Sequence, residues 1–137
     1  MLHESTALSR LLEIELIMAF MFEKLEVYQK AVDFADDIAS RTERITGSYR
    51  YLADQLNRAA LSIATNLPEG NGRFAKPDRR NFFTIARGSA QECVSLLEIA
   101  RRRNLIVESA SSGSKFRLEI IARMISGLIN GLAERDE

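Results

Sequence analysis

The chain has 137 residues, of which 46% are hydrophobic and 28% are charged, and its 19 basic and 19 acidic residues give a formal net charge of zero. A chain of this length and composition is expected to form one helix-rich globular domain rather than a disordered protein, and it is long enough to bury a core without disulfides or metal. Cys93 is the only cysteine, so an internal disulfide is excluded and a cytoplasmic location is expected.

The zero net charge hides an uneven distribution of charge along the chain. Residues 1–47 carry a net charge of −4, residues 48–123 carry +6 and residues 124–137 carry −2. The basic middle permits a surface that binds polyanions, although the chain lacks the overall basic excess of dedicated nucleic-acid-binding proteins.

The first twenty residues have a helical pattern of their own. Apolar residues recur at four-residue steps, at Leu8, Leu12, Leu16 and Phe20. This segment predicts an extra helix, a helix that packs on a partner, or a frayed end. Its apolar run is interrupted by Glu13 and Glu15 and is too short to cross a membrane, so neither export nor membrane insertion is expected.

Four further segments have apolar residues at three- and four-residue steps, and none shows a sustained two-residue alternation, which predicts an all-α fold. The first helix is expected over about 23–44, followed by Gly47 in a left-handed conformation. Ser48 is expected to cap the second helix. That helix is expected to stop near residues 67–70, because Pro68 would cost roughly 3 kcal/mol in a helix interior.

The second half of the chain predicts two longer helices. The third is expected from Pro77, at its first position, to Arg103, with Asn104 ending it. The polar run ESASSGS (108–114) predicts a loop, and the fourth helix is expected over about 114–132.

Short loops between four helices of similar length favour an antiparallel, up-down-up-down four-helix bundle with a possible extra N-terminal helix. We expect residues 1–20 to be an N-terminal extension, residues 21–133 to form the bundle and residues 134–137 to be an acidic tail.

Polar residues beside the apolar faces of the second and third helices have two interpretations. They are Gln55, Arg58, Ser62, Asn66, Glu69, Ser89 and Glu92. Glu69 and Glu92 could be a carboxylate pair for acid/base or metal chemistry. Alternatively, the set is a structural network in which Arg58 neutralises a glutamate while Ser62 and Asn66 satisfy loop backbone groups, and we favour this second interpretation.

Histidine and cysteine are too scarce for most catalytic or metal sites. His3 is the only histidine, so the Glu-x-x-His pairs of di-metal bundles are missing, as is a histidine base for a nucleophile. We therefore predict no catalytic residue, no metal and no cofactor.

Basic residues are the better functional candidates, because they can contact phosphates. The candidates are Arg73, Lys76, Arg79, Arg80, Arg87, Arg101, Arg102 and Arg103. The alternative is a solvated helix face, with the run of three arginines complementing the negative end of the helix dipole.

Three stretches carry a family resemblance: FEKLEVYQKA (22–31), QLNRAALSIATNLPEGNGR (55–73) and FFTIARGSAQECVSLLEIA (82–100). They resemble the four-helix-bundle family named for proteins encoded in 23S rRNA intervening sequences, also called S23 ribosomal-like, over about Met21 to Leu132. The resemblance implies a small cytoplasmic bundle that assembles as a ring of five subunits. It also implies a relation to the accessory proteins of diversity-generating retroelements, which bind reverse transcriptase and nucleic acid.

The family resemblance implies no known enzyme activity. We therefore predict a non-enzymatic homo-oligomer, a pentamer, that acts as an interaction or adaptor module and binds RNA, DNA or an enzyme such as a reverse transcriptase. Two alternatives stay open: a purely structural oligomer without a nucleic-acid ligand, and an enzyme that uses Glu69 and Glu92.

Overall fold

A computed structural model describes residues 2–21 and 25–134 of the chain. Within these residues the fold is all-α, with five α-helices, one short 3-10 helix and no strand. The helices are α1 (Leu2–Met21), α2 (Glu26–Thr42), α3 (Arg50–Asn71), α4 (Lys76–Arg102) and α5 (Glu108–Glu134), with the 3-10 helix at Gly47–Tyr49. The predicted start of the first bundle helix at Glu23, and residues 135–137 of the expected acidic tail, lie outside the described residues.

Contacts between α4 and α5 show that these helices are antiparallel. Lys115 Nζ lies 3.4 Å from Glu98 Oε2, and Arg87 Nη1 donates to Ser126 Oγ at 3.2 Å, so later residues of one helix meet earlier residues of the other. The same holds between α2 and α5, where Arg117 Nη1 binds Asp37 Oδ2 at 3.1 Å. Helices α2 to α5 form the predicted up-down-up-down bundle.

One continuous core runs between α2, α3, α4 and α5. Burying these large apolar side chains supplies the main stabilisation of the bundle. The fully buried ones are Phe34, Ile38, Leu56, Ile63, Leu67, Phe83, Leu97, Leu118, Ile121 and Ile125.

The N-terminal helix α1 lies largely outside this core, which confirms the predicted extra helix. Within the described part of the chain it contacts only α3. Six large apolar side chains of α1 are more than half exposed: Leu8, Leu11, Leu12, Ile14, Leu16 and Ile17. Among the helices that the structure describes, none has both the length and the apolarity that a membrane crossing requires.

The polar run 108–114 is helical, so the predicted loop there is wrong. Helix α5 begins at Glu108, and the small side chains of Ser111 and Ser114 are 0% and 3% exposed. They continue the apolar spacing of Leu118 and Ile121 towards the N-terminus. Serine composition suggests a loop, but here a small side chain lets α5 approach its neighbours closely, and packing overrides propensity.

Helix α3 also extends further than predicted, to Asn71, with Pro68 inside its last turns. The Gly72 N–H donates to the Pro68 carbonyl at 2.9 Å, which completes the final turn. Gly70 packs against α4 so closely that a Cβ atom built on it would lie 2.7 Å from Phe83 Cε1. Packing on α4 thus holds the last turn of α3 in place.

The loop before α3 differs from the prediction at one residue. Gly47 has φ +67°, as predicted for a left-handed glycine. Ser48 lies in the 3-10 helix rather than at the N-cap of α3, a position that Tyr49 takes without a side-chain capping bond.

Both ends of α4 lie close to their predicted positions. Asn104, with φ +60°, ends α4 as predicted. The Leu105 N–H binds the Ala100 carbonyl and the Asn104 N–H binds the Arg101 carbonyl, the Schellman pattern of helix ends. At its start α4 includes Lys76, so Pro77 takes the second helical position.

Candidate functional site

A small polar network joins α3 to α4 at mid-height. Ser89 Oγ donates to Ser62 Oγ at 2.7 Å, and Asn66 Nδ2 donates to Ser62 Oγ at 3.1 Å and to the Ser62 carbonyl at 2.8 Å. Ser89 is buried, so this network satisfies a hydroxyl that water reaches poorly. Three of the predicted network residues therefore lie together, and their bonds stay within the helices rather than reaching a loop.

The charged members of the predicted network take other roles. Glu69 is exposed and binds Arg73 Nη2 at 3.0 Å, one turn further along the chain. Gln55, Arg58 and Glu92 are exposed as well. Arg58 forms no ion pair with any residue that the structure describes, so it does not neutralise Glu69 or Glu92.

The two carboxylates Glu69 and Glu92 lie at different heights on the bundle. Because Ser62 contacts Ser89 and the two helices are antiparallel, Glu69 lies level with Phe82 on α4. Glu92 is ten residues further along α4, which places it about 15 Å away along the helix axis at about 1.5 Å per residue. The carboxylate-pair hypothesis therefore loses its geometric basis.

The described residues also offer neither a group of metal ligands nor a reactive cysteine. No group of three His, Cys, Asp or Glu side chains that could hold a metal ion lies among them. Burial, with a further contribution from Glu92, raises the pKa of the fully buried Cys93 thiol to about 12. Cys93 is thus held as a thiol and behaves as a small apolar core residue.

The eight predicted basic residues do not form one patch. Arg73, Lys76, Arg79 and Arg80 lie at the α3–α4 turn, whereas the run 101–103 lies at the other end of α4. Arg80 and Arg101 are 21 residues apart on one helix, or about 32 Å. Between them, Arg87 is half-buried and its guanidinium donates to Ser126 on α5.

At the α3–α4 turn, Arg73 is held by two contacts. Glu69 accepts its hydrogen bond, and its guanidinium lies 4.9 Å from the centre of the Phe82 ring, within cation–π range. These contacts fix the arginine close to the protein surface. Beside it the Phe74 side chain is 66% exposed.

At the other end of α4, Arg101 differs from its two neighbours. Its Nε donates to Glu98 at 2.6 Å and its Nη1 lies 3.2 Å from Glu108. The hydrogen bond from Arg101 lowers the pKa of Glu98, with a smaller contribution from Lys115, and Glu98 in turn raises the pKa of Arg101. Arg102 and Arg103 are exposed and form no ion pair within the described ranges.

Sequence reasoning missed further arginines at this end. Helices α2 and α4 both finish here and α3 begins here, so the run 101–103 is joined by Arg41, Arg44 and Arg50. We name this end of the bundle the arginine end, defined by the residues Arg41, Arg44, Arg50, Arg101, Arg102 and Arg103. In an antiparallel bundle, the end of one helix lies beside the start of the next, and this rule could have grouped the six arginines from the sequence.

The end of α2 and the turn between α4 and α5 enclose a surface cleft of about 350 Å³. A second cleft of about 300 Å³ lies on the other side of the same turn. The two share Ile106 and Val107, and Val107 is 69% exposed between them.

Comparison with known proteins finds a family for the bundle. A family model described as "23S rRNA-intervening sequence protein" matches residues 23–127, which leaves α1 outside the match. A solved structure of a protein of unknown function from the S23 ribosomal protein family of Bacteroides thetaiotaomicron is similar with a TM-score of 0.68 at 22% identity. The match covers 75% of this chain and 97% of that one. No curated protein matches.

Proposed function

The chain belongs to the 23S rRNA-intervening sequence protein family, and from this premise we propose that it is a non-enzymatic, homo-oligomeric interaction module that binds nucleic acid at its arginine end. The observation that carries the proposal is the placement of Arg44, Arg50, Arg102 and Arg103. All four are exposed at one end of the bundle, and none forms an ion pair within the part of the chain that the structure describes.

Guanidinium groups in this state suit a polyphosphate backbone. Arginine stays charged at any physiological pH and its planar fork binds phosphate oxygens in pairs. By contrast, Glu98 and Glu108 bind Arg101 from two sides, so Arg101 is expected to position the surface rather than to bind the ligand directly. Asp37 binds Arg41 only through Nε.

Salt dependence of binding tests this proposal. Fluorescence anisotropy with labelled single-stranded and duplex RNA and DNA should show binding at 50 mM salt that weakens steeply as salt is added. R102Q/R103Q should weaken binding to all sequences alike. It should also reduce the slope of log binding constant against log salt concentration by about 2, which corresponds to two lost phosphate contacts. The matched control is R123Q on α5, which removes an arginine that pairs with Glu119 away from the arginine end.

The other predicted basic cluster is tested by the same measurement. R79Q/R80Q changes two residues at the α3–α4 turn, about 30 Å from the arginine end along α4. If this variant weakens binding while R102Q/R103Q does not, nucleic acid binds at the α3–α4 turn. No binding by the unaltered protein at low salt contradicts the proposal and leaves the purely structural oligomer.

The homo-oligomeric part of the proposal draws on exposed apolar surface. The six apolar side chains of α1, together with Ile85 and Ile99 on α4, are exposed in the single chain, and contacts with further subunits would bury them. The family resemblance favours a ring of five. Light scattering should then give a mass about five times the 15.4 kDa of one chain, and a mass of 15.4 kDa contradicts the proposal.

A protein partner such as a reverse transcriptase follows from the family resemblance alone, and it stays a prediction. Copurification with a reverse transcriptase encoded beside this reading frame would support it. The enzyme hypothesis based on Glu69 and Glu92 is disfavoured by their separation of about 15 Å along the helices.

A further inference from the structure

We propose that the cleft between the end of α2 and the α4–α5 turn is a binding site for a phosphate monoester. Its volume of about 350 Å³ lies at the lower end of the range for small-molecule sites. This inference rests on the proposed function in taking the end of a nucleic-acid strand as one source of that phosphate. The cleft is lined by Ser40, Arg41, Glu43, Arg44, Leu105, Ile106, Val107 and Ala110.

Two arginines supply the positive charge of the cleft. Asp37 Oδ2 accepts from Arg41 Nε at 2.7 Å and from Arg117 Nη1 at 3.1 Å, so the guanidinium of Arg41 is fixed by one edge. Its two terminal nitrogens remain donors for another acceptor. Arg44 is exposed and makes no ion pair within residues 25–134, so an incoming anion need not displace a carboxylate from it.

The beginning of α5 adds backbone donors beside these arginines. Val107 immediately precedes this helix of 27 residues, and the Ser111 N–H binds its carbonyl at 3.0 Å. A valine side chain cannot cap the first turn, so the N–H groups of that turn have no acceptor from the capping residue. The positive end of the helix dipole also favours an anion here.

The cleft also contains negative groups, and the charge of the ligand decides how strongly it is attracted. Glu43 lines the cleft, and the C-terminus of α2, which is the negative end of that helix dipole, lies beside the cleft. A monoester carries about −1.5 to −2 charges at neutral pH, whereas an internal phosphodiester carries about −1. Arg41 and Arg44 attract the more highly charged monoester more strongly than a phosphodiester, while Glu43 and the end of α2 reduce that preference.

The neighbouring cleft, lined by Arg101, Asn104, Ile106, Val107 and Glu108, shows why the first one is preferred. Its one cation, Arg101, is bound by Glu98 and Glu108. An anion there would have to compete with two carboxylates. In the first cleft Asp37 binds only one edge of Arg41, and Arg44 forms no ion pair within residues 25–134, so an anion need not displace a carboxylate from Arg44.

Calorimetric titration of the full chain tests the site with two kinds of probe. The first is inorganic phosphate. The second is a pair of RNA octamers that are identical except for a phosphate or a hydroxyl at the 5′ end. We expect inorganic phosphate to bind and the phosphorylated octamer to bind about tenfold more tightly than its partner, the equivalent of one charge-assisted hydrogen bond. The preference for the phosphorylated octamer should strengthen between pH 5 and 7, because the second pKa of a phosphate monoester is about 6.

Variants then connect binding to the cleft. R44Q should reduce phosphate binding about tenfold and remove the preference for the phosphorylated octamer. R123Q removes an arginine about 22 Å along α5 from the start of that helix and should leave both unchanged. Thermal unfolding checks that both variants fold, which their exposed positions favour.

The outcomes separate this inference from the proposed function. If RNA binds equally with either 5′ end and inorganic phosphate does not bind, the cleft proposal fails while nucleic-acid binding stands. Equal effects of R44Q and R123Q also overturn it. If inorganic phosphate binds through Arg44 and RNA does not bind, the cleft takes a free phosphate monoester and the nucleic-acid function is wrong.

Discussion

Ser89 Oγ donates a 2.7 Å hydrogen bond to Ser62 Oγ across the contact between α3 and α4. Ser62 Oγ also accepts from Asn66, so the two serines are not equivalent. S62A would leave the buried Ser89 hydroxyl without its acceptor, which costs about 1–3 kcal/mol, whereas S89A leaves Ser62 bonded to Asn66 and costs about 1 kcal/mol. Urea unfolding should give S62A the larger loss of unfolding free energy.

The double variant S62A/S89A checks the origin of that difference. Because it removes both hydroxyls, it should be no less stable than S62A alone. Additive losses in the double variant would contradict this account.

Gly70 and Gly88 provide a matched pair of glycine variants. A Cβ atom at Gly70 would lie 2.7 Å from Phe83 Cε1 and 3.2 Å from the Arg79 carbonyl oxygen, while one at Gly88 meets nothing within 4 Å in the described part of the chain. Phe83 is 1% exposed, so its ring cannot move aside easily. G70A should lower the unfolding free energy by about 1–3 kcal/mol, and G88A should raise it by about 0.5–1 kcal/mol. A stabilising G70A would show that the end of α3 can shift.

Helical periodicity predicted the fold because it reports which face of each helix is buried. It could not predict contacts that depend on how far one helix slides along another. Glu69 and Glu92 lie beside the contact between α3 and α4, yet the Ser62–Ser89 contact places them about 15 Å apart. Conversely, Arg44 and Arg102 are far apart in sequence and meet at one end only because the helices are antiparallel.

Helix ends were the other weak point of sequence reasoning. Asn104 was predicted correctly because it can take the left-handed conformation that ends α4, and its φ is +60°. The start of α5 was missed because serine is common in loops, whereas the burial of Ser111 depends on neighbouring helices. Local propensity thus succeeded where the backbone conformation is local and failed where tertiary packing decides.

The Ser111 hydroxyl is buried and has no hydrogen-bond partner among the residues that the structure describes. Because a buried polar group without a partner is destabilising, S111A should raise the unfolding free energy by about 1 kcal/mol. S112A, at the exposed neighbouring residue, should change it by less than about 0.5 kcal/mol. Thermal and urea unfolding of the two variants provide the comparison. Destabilisation by S111A would mean that the hydroxyl has an acceptor in solution.

The ion pairs of Glu98 predict a contribution to acid sensitivity. The hydrogen bond from Arg101, with a smaller contribution from Lys115, lowers the pKa of Glu98 from its ordinary value of 4.5. A lowered pKa in the folded state means that this contribution to stability is fully present above pH 4.5. It is lost as the pH falls through the folded-state pKa.

E98Q should therefore be less stable than the unaltered protein at pH 7, and the difference should shrink below pH 4.5. Unfolding in urea at pH 7, 5, 4 and 3 measures this trend, with E119Q as the control because Glu119 forms a more exposed pair with Arg123. A stability difference that stays constant down to pH 3 would show that Glu98 acts through packing rather than through its charge.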